Sequence, residues 1–353
     1  MRELVIVIAD LYLPRGEDAD GARAAVTAGT VPGIEYAGRF GERSALTEGW
    51  RAWLAHRIGR ADLAHIAPAR IAAVCAGEPG AAGAAAATAW IATPVQLVAD
   101  LTRVHLPAHG ILRLQPAELA ALTASFRSAF GGSGLSLHPL PCGELLLFTA
   151  GMAPLDTLEP ARAAGGDLAQ VLPQGREAAS LRRLGAEIEM WLHGEPLNSV
   201  RAQRGEAPVT ALWLWGSAGA PGPPLTVPGA AVAADTRAPR AFGSDAWLDG
   251  LWRIQGSGCE RLPPRLPREG GERDLEVWVP ELRQELARAD AAGSLASALV
   301  QLDARFISPA IELLRRGAAH VVTLIANDTC VRLGQRSGRQ FWRRARPGLR
   351  CFL

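Results

Sequence analysis

Lysine is absent from this chain: all 37 basic residues among its 353 are arginine. A Schiff-base mechanism and the phosphate-binding lysine of a Walker-type loop are thereby excluded. Cysteine is scarce. Cys75, Cys142, Cys259, Cys330 and Cys351 lie far apart with no Cys-x-x-Cys pair, which argues against a disulfide framework or a structural zinc site and favours a reducing cytoplasm. Long apolar runs are missing too. Leu4 to Ala9 stops at Asp10, too short for a signal-peptide core or a membrane span, so it reads as a first strand, and no membrane partner is expected. Nor is there an excess of one charge. The net charge of +2 points to no bulk electrostatic partner.

What is present is apolar and alternating. With 48% hydrophobic residues the chain can bury a sizeable core. Apolar runs at Leu4 to Ala9, Ile71 to Cys75, Ala89 to Ala92, Ile111 to Leu114, Glu144 to Thr149, Ala211 to Trp215, Leu275 to Val279 and His320 to Ala326 read as strands. Pro116 to Phe130, Glu177 to Leu192, Pro280 to Ala291 and Pro309 to Arg316 read as helices, the last with Ser308 as its cap. This order predicts an α/β fold, a central, largely parallel sheet flanked by helices, with length enough for an inserted subdomain. Residues 1–217 form the expected N-terminal α/β portion, 218–273 a loop-rich connection, and 274–353 a C-terminal portion that completes the sheet.

The densest stretch runs from Met190 to Gly219. His193 and Gly194 end a helix, and Pro196 prevents its continuation. Asn198 is suited to cap a short helix from Ser199 to Arg204, closed by Gly205, which would bring Arg201 and Arg204 together. The compact run from Ala211 to Trp215 then reads as a buried strand opening into glycine. Trp213 and Trp215 read as core packing.

The order Pro-Leu-Asn-x-x-Arg-x-x-x-Gly-x-x-Pro-x-x-x-Leu-Trp-Leu-Trp-Gly within that stretch resembles a signature of the archaeal-type cofactor-independent phosphoglycerate mutases. Bacterial members of that group are called RpfE-type regulatory proteins. Trp90 to Asp100, WIATPVQLVAD, and Phe341 to Arg344, FWRR, resemble two further segments of the same proteins in the same order. The resemblance implies an alkaline-phosphatase-like fold. It also implies a chemistry in which two divalent metals, Mn²⁺ or Zn²⁺, serve a phosphoryl transfer and stabilise its attacking and leaving oxygens.

Carried onto this chain, the resemblance makes Asp10, after the first strand, the candidate metal ligand. Active members carry an Asp-x-x-x-His pair and a late Asp-His pair, but this chain has no Asp-His dipeptide and only His320 after Gly194. An enzyme would need ligands dispersed among Asp100, Asp303, His320 and Asp328. His105 and His109 are separated by Pro107 and read as surface or strand-end histidines. Ser44 and Thr47 follow the first strand without a recognisable nucleophile turn, so no catalytic residue is assigned.

Two polar groups remain. Asn198, Arg201 and Arg204 suit a small phosphorylated or carboxylate ligand, because a guanidinium offers a planar fork of donors. The structural alternative pairs Arg201 with Glu195 or Glu206. After Asp328 there is no acidic residue, while Arg336, Arg339, Arg343 and Arg344 surround Phe341 and Trp342, a composition that can hold single-stranded nucleic acid. The expectation is a cytoplasmic mutase-like protein with a degenerate metal centre, acting by binding a ligand, a protein or a nucleic acid. An active metal-dependent mutase and a nucleic-acid-associated partner are the alternatives.

Overall fold

The computed structural model describes residues 3–12, 31–76, 87–101, 103–107, 109–217, 225, 238–269, 273–283, 286 and 295–337. They divide into two units that interleave along the chain. The first is formed by 1–64, 230–243 and 259–353, the second by 65–229 and 244–258. The boundaries expected at 217 and 273 follow chain order, whereas these units do not.

The first unit carries a six-stranded sheet. Its strands are β1 (Glu3–Val7), β2 (Glu42–Ala45), β9 (Arg240–Phe242), β10 (Leu275–Trp278), β11 (Val321–Ala326) and β12 (Thr329–Gly334), in the order β2-β12-β11-β1-β10-β9. Strands β11, β1, β10 and β9 run parallel, while β12 and β2 add an antiparallel edge. All residues of β1 and β11 are buried, as expected of parallel strands covered on both faces. Leu4 and Ile6 pack with Ile34, Leu299, Leu302, Phe306 and Leu314 from helices in one core. The α/β class with a mostly parallel sheet is therefore the observed one.

One helical run departs from expectation. Pro309 to Arg316 was expected to start at a Ser308 cap. Instead Leu295–Leu302, a π-helical turn at Asp303–Ile307 and Ser308–Arg315 follow one another without a break. Pro309 has no N–H for the Arg305 carbonyl four residues back. The Leu266 N–H donates to that carbonyl instead, at 2.9 Å. The widened turn presents Asp303, whose carboxylate accepts the Gly33 and Ile34 N–H groups at 3.1 and 2.8 Å and the Ser308 hydroxyl at 2.7 Å. Asp303 thus caps the Pro32–Phe40 helix, whose own N-cap residue, Val31, supplies no side-chain bond.

Burial raises the Asp303 carboxyl above its ordinary 3.8, against the lowering effect of those hydrogen bonds. The folded state therefore holds this proton more tightly than the unfolded chain. Its contribution to stability is full below pH 3.8 and is lost as pH rises through the raised folded value. Urea midpoints should show wild type gaining on Asp303→Asn as pH falls through that window. A difference that stays flat with pH would contradict this.

The second unit has a four-stranded antiparallel sheet of β3 (Ala87–Val95), β6 (Leu135–Pro139), β7 (Leu145–Ala150) and β8 (Ala211–Trp215), ordered β6-β7-β3-β8. Leu119, Leu122 and Phe126 from the Pro116–Phe130 helix pack with Leu184, Ile188 and Leu192 from the Ala179–His193 helix against Trp90, Leu147 and Leu212. Two short strands, β4 (Val98–Ala99) and β5 (Val104–His105), form a separate ladder. The run Ile71 to Cys75, expected as a strand, is helical: Pro68 opens a helix over Pro68–Ala72, and a tight turn continues to Ala76. The expected strand Ile111 to Leu114 is reduced to one bridge between Ile111 and Val95. Of the helix expected from Pro280 to Ala291, residues 284, 285 and 287–291 lie outside the described residues.

Candidate functional site

Parallel α/β sheets bind ligands outside the carboxyl ends of their strands. In the first unit that edge holds the segments following β1, β10 and β11. Asp10 lies three residues beyond β1. Its Oδ1 accepts the Leu282 N–H at 2.8 Å and its Oδ2 the Arg283 N–H at 2.9 Å, so the carboxylate caps the helical turn that begins after β10. Arg283 Nε in turn donates to Glu281 Oε2 at 2.9 Å. Burial raises the Asp10 carboxyl, with Glu281 acting in the same direction; Arg283 and the two backbone hydrogen bonds oppose it.

The third segment closes the edge with a tight turn. Asn327 and Asp328, at φ 47° and 55°, are in the left-handed region that a two-residue hairpin between β11 and β12 demands. The Asn327 N–H donates to Leu11 O at 3.0 Å, which ties this turn to the segment after β1.

A divalent ion in such a site needs about three protein ligands. Among the described residues, the donor set around Asp10 does not provide them. Among the described residues, no group of three His, Cys, Asp or Glu ligand atoms close enough to share an ion includes Asp10. The charged groups that act on it, among the described residues, are Glu281, a carboxylate already paired to arginine, and that arginine, Arg283. His320 precedes β11 and Asp328 follows it, so six strand residues, roughly 20 Å, separate them. Asp303 is committed to the helix cap described above. Asp100 belongs to the second unit, where it accepts the Arg103 N–H at 3.0 Å and lies 3.8 Å from His105 Nδ1. His105 sits in β5 and His109 in a turn, so the four-residue offset between them is not helical.

The second polar group is brought together, but by an internal network. Asn198 lies inside the Pro196–Gln203 helix and not at its cap, which is Glu195. Its Nδ2 donates to Leu192 O and Val209 O, both at 2.9 Å, and its Oδ1 accepts the Val209 N–H at 2.8 Å. The side chain therefore joins the end of one helix to the approach to β8. Arg201 is 5% exposed. Its Nη1 lies 3.1 Å from both oxygens of buried Glu118 and 3.2 Å from Glu206, and its Nε donates to Ala207 O at 2.7 Å. Arg204 reaches Glu118 at 3.6 Å with its side chain half exposed, so of the three residues it alone presents a charge to solvent.

Glu206 is a partner the sequence pointed to, while Glu118, 83 residues from Arg201, was missed. Its signal was local. Gln115 and Glu118 form a capping box, with the Gln115 N–H donating to Glu118 Oε2 at 2.7 Å, and that pattern is visible as Gln-Pro-Ala-Glu. Two of the resembling segments also meet, since β3 and β8 pair with Ile91 opposite Trp215 and Thr93 opposite Trp213. The indole of Trp215 donates to Thr93 Oγ1 at 2.9 Å and that of Trp213 to Leu158 O at 2.8 Å, as core tryptophans do. Of the basic tail, Arg336 is exposed. Arg339, Arg343 and Arg344 lie outside the described residues.

No protein-family model and no curated protein matches the chain. Among solved structures it is similar to "Cofactor-Independent Phosphoglycerate Mutase from Thermoplasma acidophilum DSM 1728", at 14% identity and TM-score 0.35 over 94% of this chain and 89% of that one. It is also similar to "PH0037 protein from Pyrococcus horikoshii", at 10% identity and TM-score 0.45 over 94% of this chain and 87% of that one. The structural neighbours of this chain thus include a cofactor-independent phosphoglycerate mutase.

Proposed function

We propose that this chain is a phosphoglycerate mutase-like protein whose metal centre is degenerate and which acts as a binding or regulatory protein. The observation that carries this reading is the use of Asp10: both carboxylate oxygens hold backbone N–H groups, beside an Arg283–Glu281 pair. A carboxylate spent on a cap, next to a guanidinium, is a poor start for a dication site. The absence of an Asp-His dipeptide and of lysine supports the same reading from the sequence. Arg204, half exposed beside the Arg201–Glu118 pair, is the residue through which a small phosphorylated or carboxylate ligand would be met.

Incubation of the purified protein with 2- or 3-phosphoglycerate and added Mn²⁺ tests this. The expected result is no interconversion above the protein-free rate. Turnover that disappears in Asp10→Ala would overturn the proposal in favour of an active mutase.

A further inference from the structure

The second unit contains a cavity of about 300 Å³ whose lining shares no residue with the polar network of Arg201. One wall is the Ala179–His193 helix, through Leu181, Gly185 and Glu189. Opposite it stand Leu212 and Trp213 of β8, and Leu158 and Leu172 come from the segment between β7 and that helix. Arg182 holds part of this second wall, since its guanidinium donates to Pro173 O at 2.8 Å and Gly175 O at 3.3 Å. The walls are thus mostly aliphatic and aromatic. A volume of this order is at the small end of ligand pockets.

Two details distinguish this cavity from a packing defect. Thr157 lines it, and the Thr157 Oγ1 is buried with no hydrogen-bond partner among the described residues. A buried hydroxyl left unsatisfied costs about 1 to 3 kcal/mol, and a ligand with a matching group would recover it. Gly185 lies in the interior of a fifteen-residue helix, where glycine is a poor choice by about 1 kcal/mol relative to alanine. An added Cβ there would meet no heavy atom within 4 Å. The missing side chain leaves space on the pocket wall, and no close packing requires it.

We propose that this cavity is a binding site for a small, uncharged, mostly hydrophobic molecule that presents one hydroxyl or comparable group to Thr157. Arg182 is already engaged by two carbonyls and the walls offer no cluster of cationic groups, so a phosphate or sugar phosphate does not fit. Glu189 contributes one carboxyl from an exposed position. The site is independent of the fate of Asp10, and its test does not depend on mutase activity.

The probes are 1-naphthol and naphthalene, which differ by one hydroxyl, titrated against the full chain by saturation-transfer NMR. The expected result is saturable binding of 1-naphthol, weakened at least about tenfold by Gly185→Leu, whose side chain fills the space on the wall. Thr157→Val should weaken 1-naphthol by about fivefold, the value of one hydrogen bond, and leave naphthalene unchanged. Gly185→Leu places a good helix former in a helix, so loss of binding will not be loss of fold; retained helical circular dichroism verifies this. No saturable binding of 1-naphthol, or equal binding by Gly185→Leu, overturns the site. Equal effects of Thr157→Val on the two probes overturn the role of the hydroxyl.

Discussion

Gly250→Ala will destabilise the protein by roughly 3 kcal/mol, at the upper end of what overpacking costs in a core. Gly250 lies in the Ala246–Ile254 helix, which is buried along most of its length. A Cβ at this position would stand 2.1 Å from Ile71 O and 2.7 Å from Ile71 C in the Pro68–Ala72 helix. These are backbone atoms, so no rotamer change relieves the clash. The two helices must separate, and both belong to the second unit.

Gly185→Ala provides the matched control. It is the same substitution in the middle of a helix, but into open space, and should stabilise the protein by about 1 kcal/mol. Urea denaturation of the two variants beside wild type separates the effects by sign. A neutral Gly250→Ala, or a destabilised Gly185→Ala, would contradict the packing described.

Arg201→Met is expected to cost about 3 to 5 kcal/mol, the range for removing one partner of a buried ion pair. Arg201 and Glu118 both have side chains 6% exposed. Without the guanidinium, Glu118 keeps, among the described residues, only the longer contact to Arg204 and its capping-box bond to the Gln115 N–H. The double variant Glu118→Leu with Arg201→Met should recover much of the loss, because no uncompensated buried charge then remains. Recovery is incomplete in this account, since the capping bond and the Arg201–Ala207 bond are both lost. Denaturation midpoints of the two single variants and the double variant measure the coupling. A mild Arg201→Met effect, within about 0.5 kcal/mol as for an ordinary surface change, would mean that the guanidinium is not committed to this network.

The parts of the fold legible in the sequence were those with an unambiguous period or a continuous apolar run. Strands β1, β8, β10 and β11 are such runs, and each is wholly buried. Strand β2, Glu-Arg-Ser-Ala, is fully exposed at a sheet edge and offers no hydrophobic pattern to read. The Ala246–Ile254 helix has a clear apolar stripe, with Asp249 and Arg253 paired at i and i+4, but it is only nine residues long and carries Gly250 in its middle, which weakens the helical pattern in the sequence. Ile71 to Cys75 shows how a short apolar run misleads, since only Pro68 before it marks a helix start.

The candidate site was legible in its members but less so in their use. Asn198 and Arg201 were found by residue type, and Glu206 was near enough in sequence to suggest itself. The carbonyls of Leu192, Val209 and Ala207 and the carboxylate of Glu118 are set by tertiary geometry, and they engage Asn198 and Arg201 from within the fold. Asp10 follows the same pattern. A carboxylate beyond a strand end is readable, whereas the backbone N–H groups it serves come from residues more than 270 positions away.

The most direct measurement of that central assignment is thermal unfolding of wild type and Asp10→Ala with and without Mn²⁺. A metal that binds the folded state raises its melting temperature. If Asp10 is a cap, Asp10→Ala melts below wild type by the same margin in both conditions, and Mn²⁺ shifts neither. A melting temperature that Mn²⁺ raises in wild type but not in Asp10→Ala would make Asp10 a metal ligand and contradict the account.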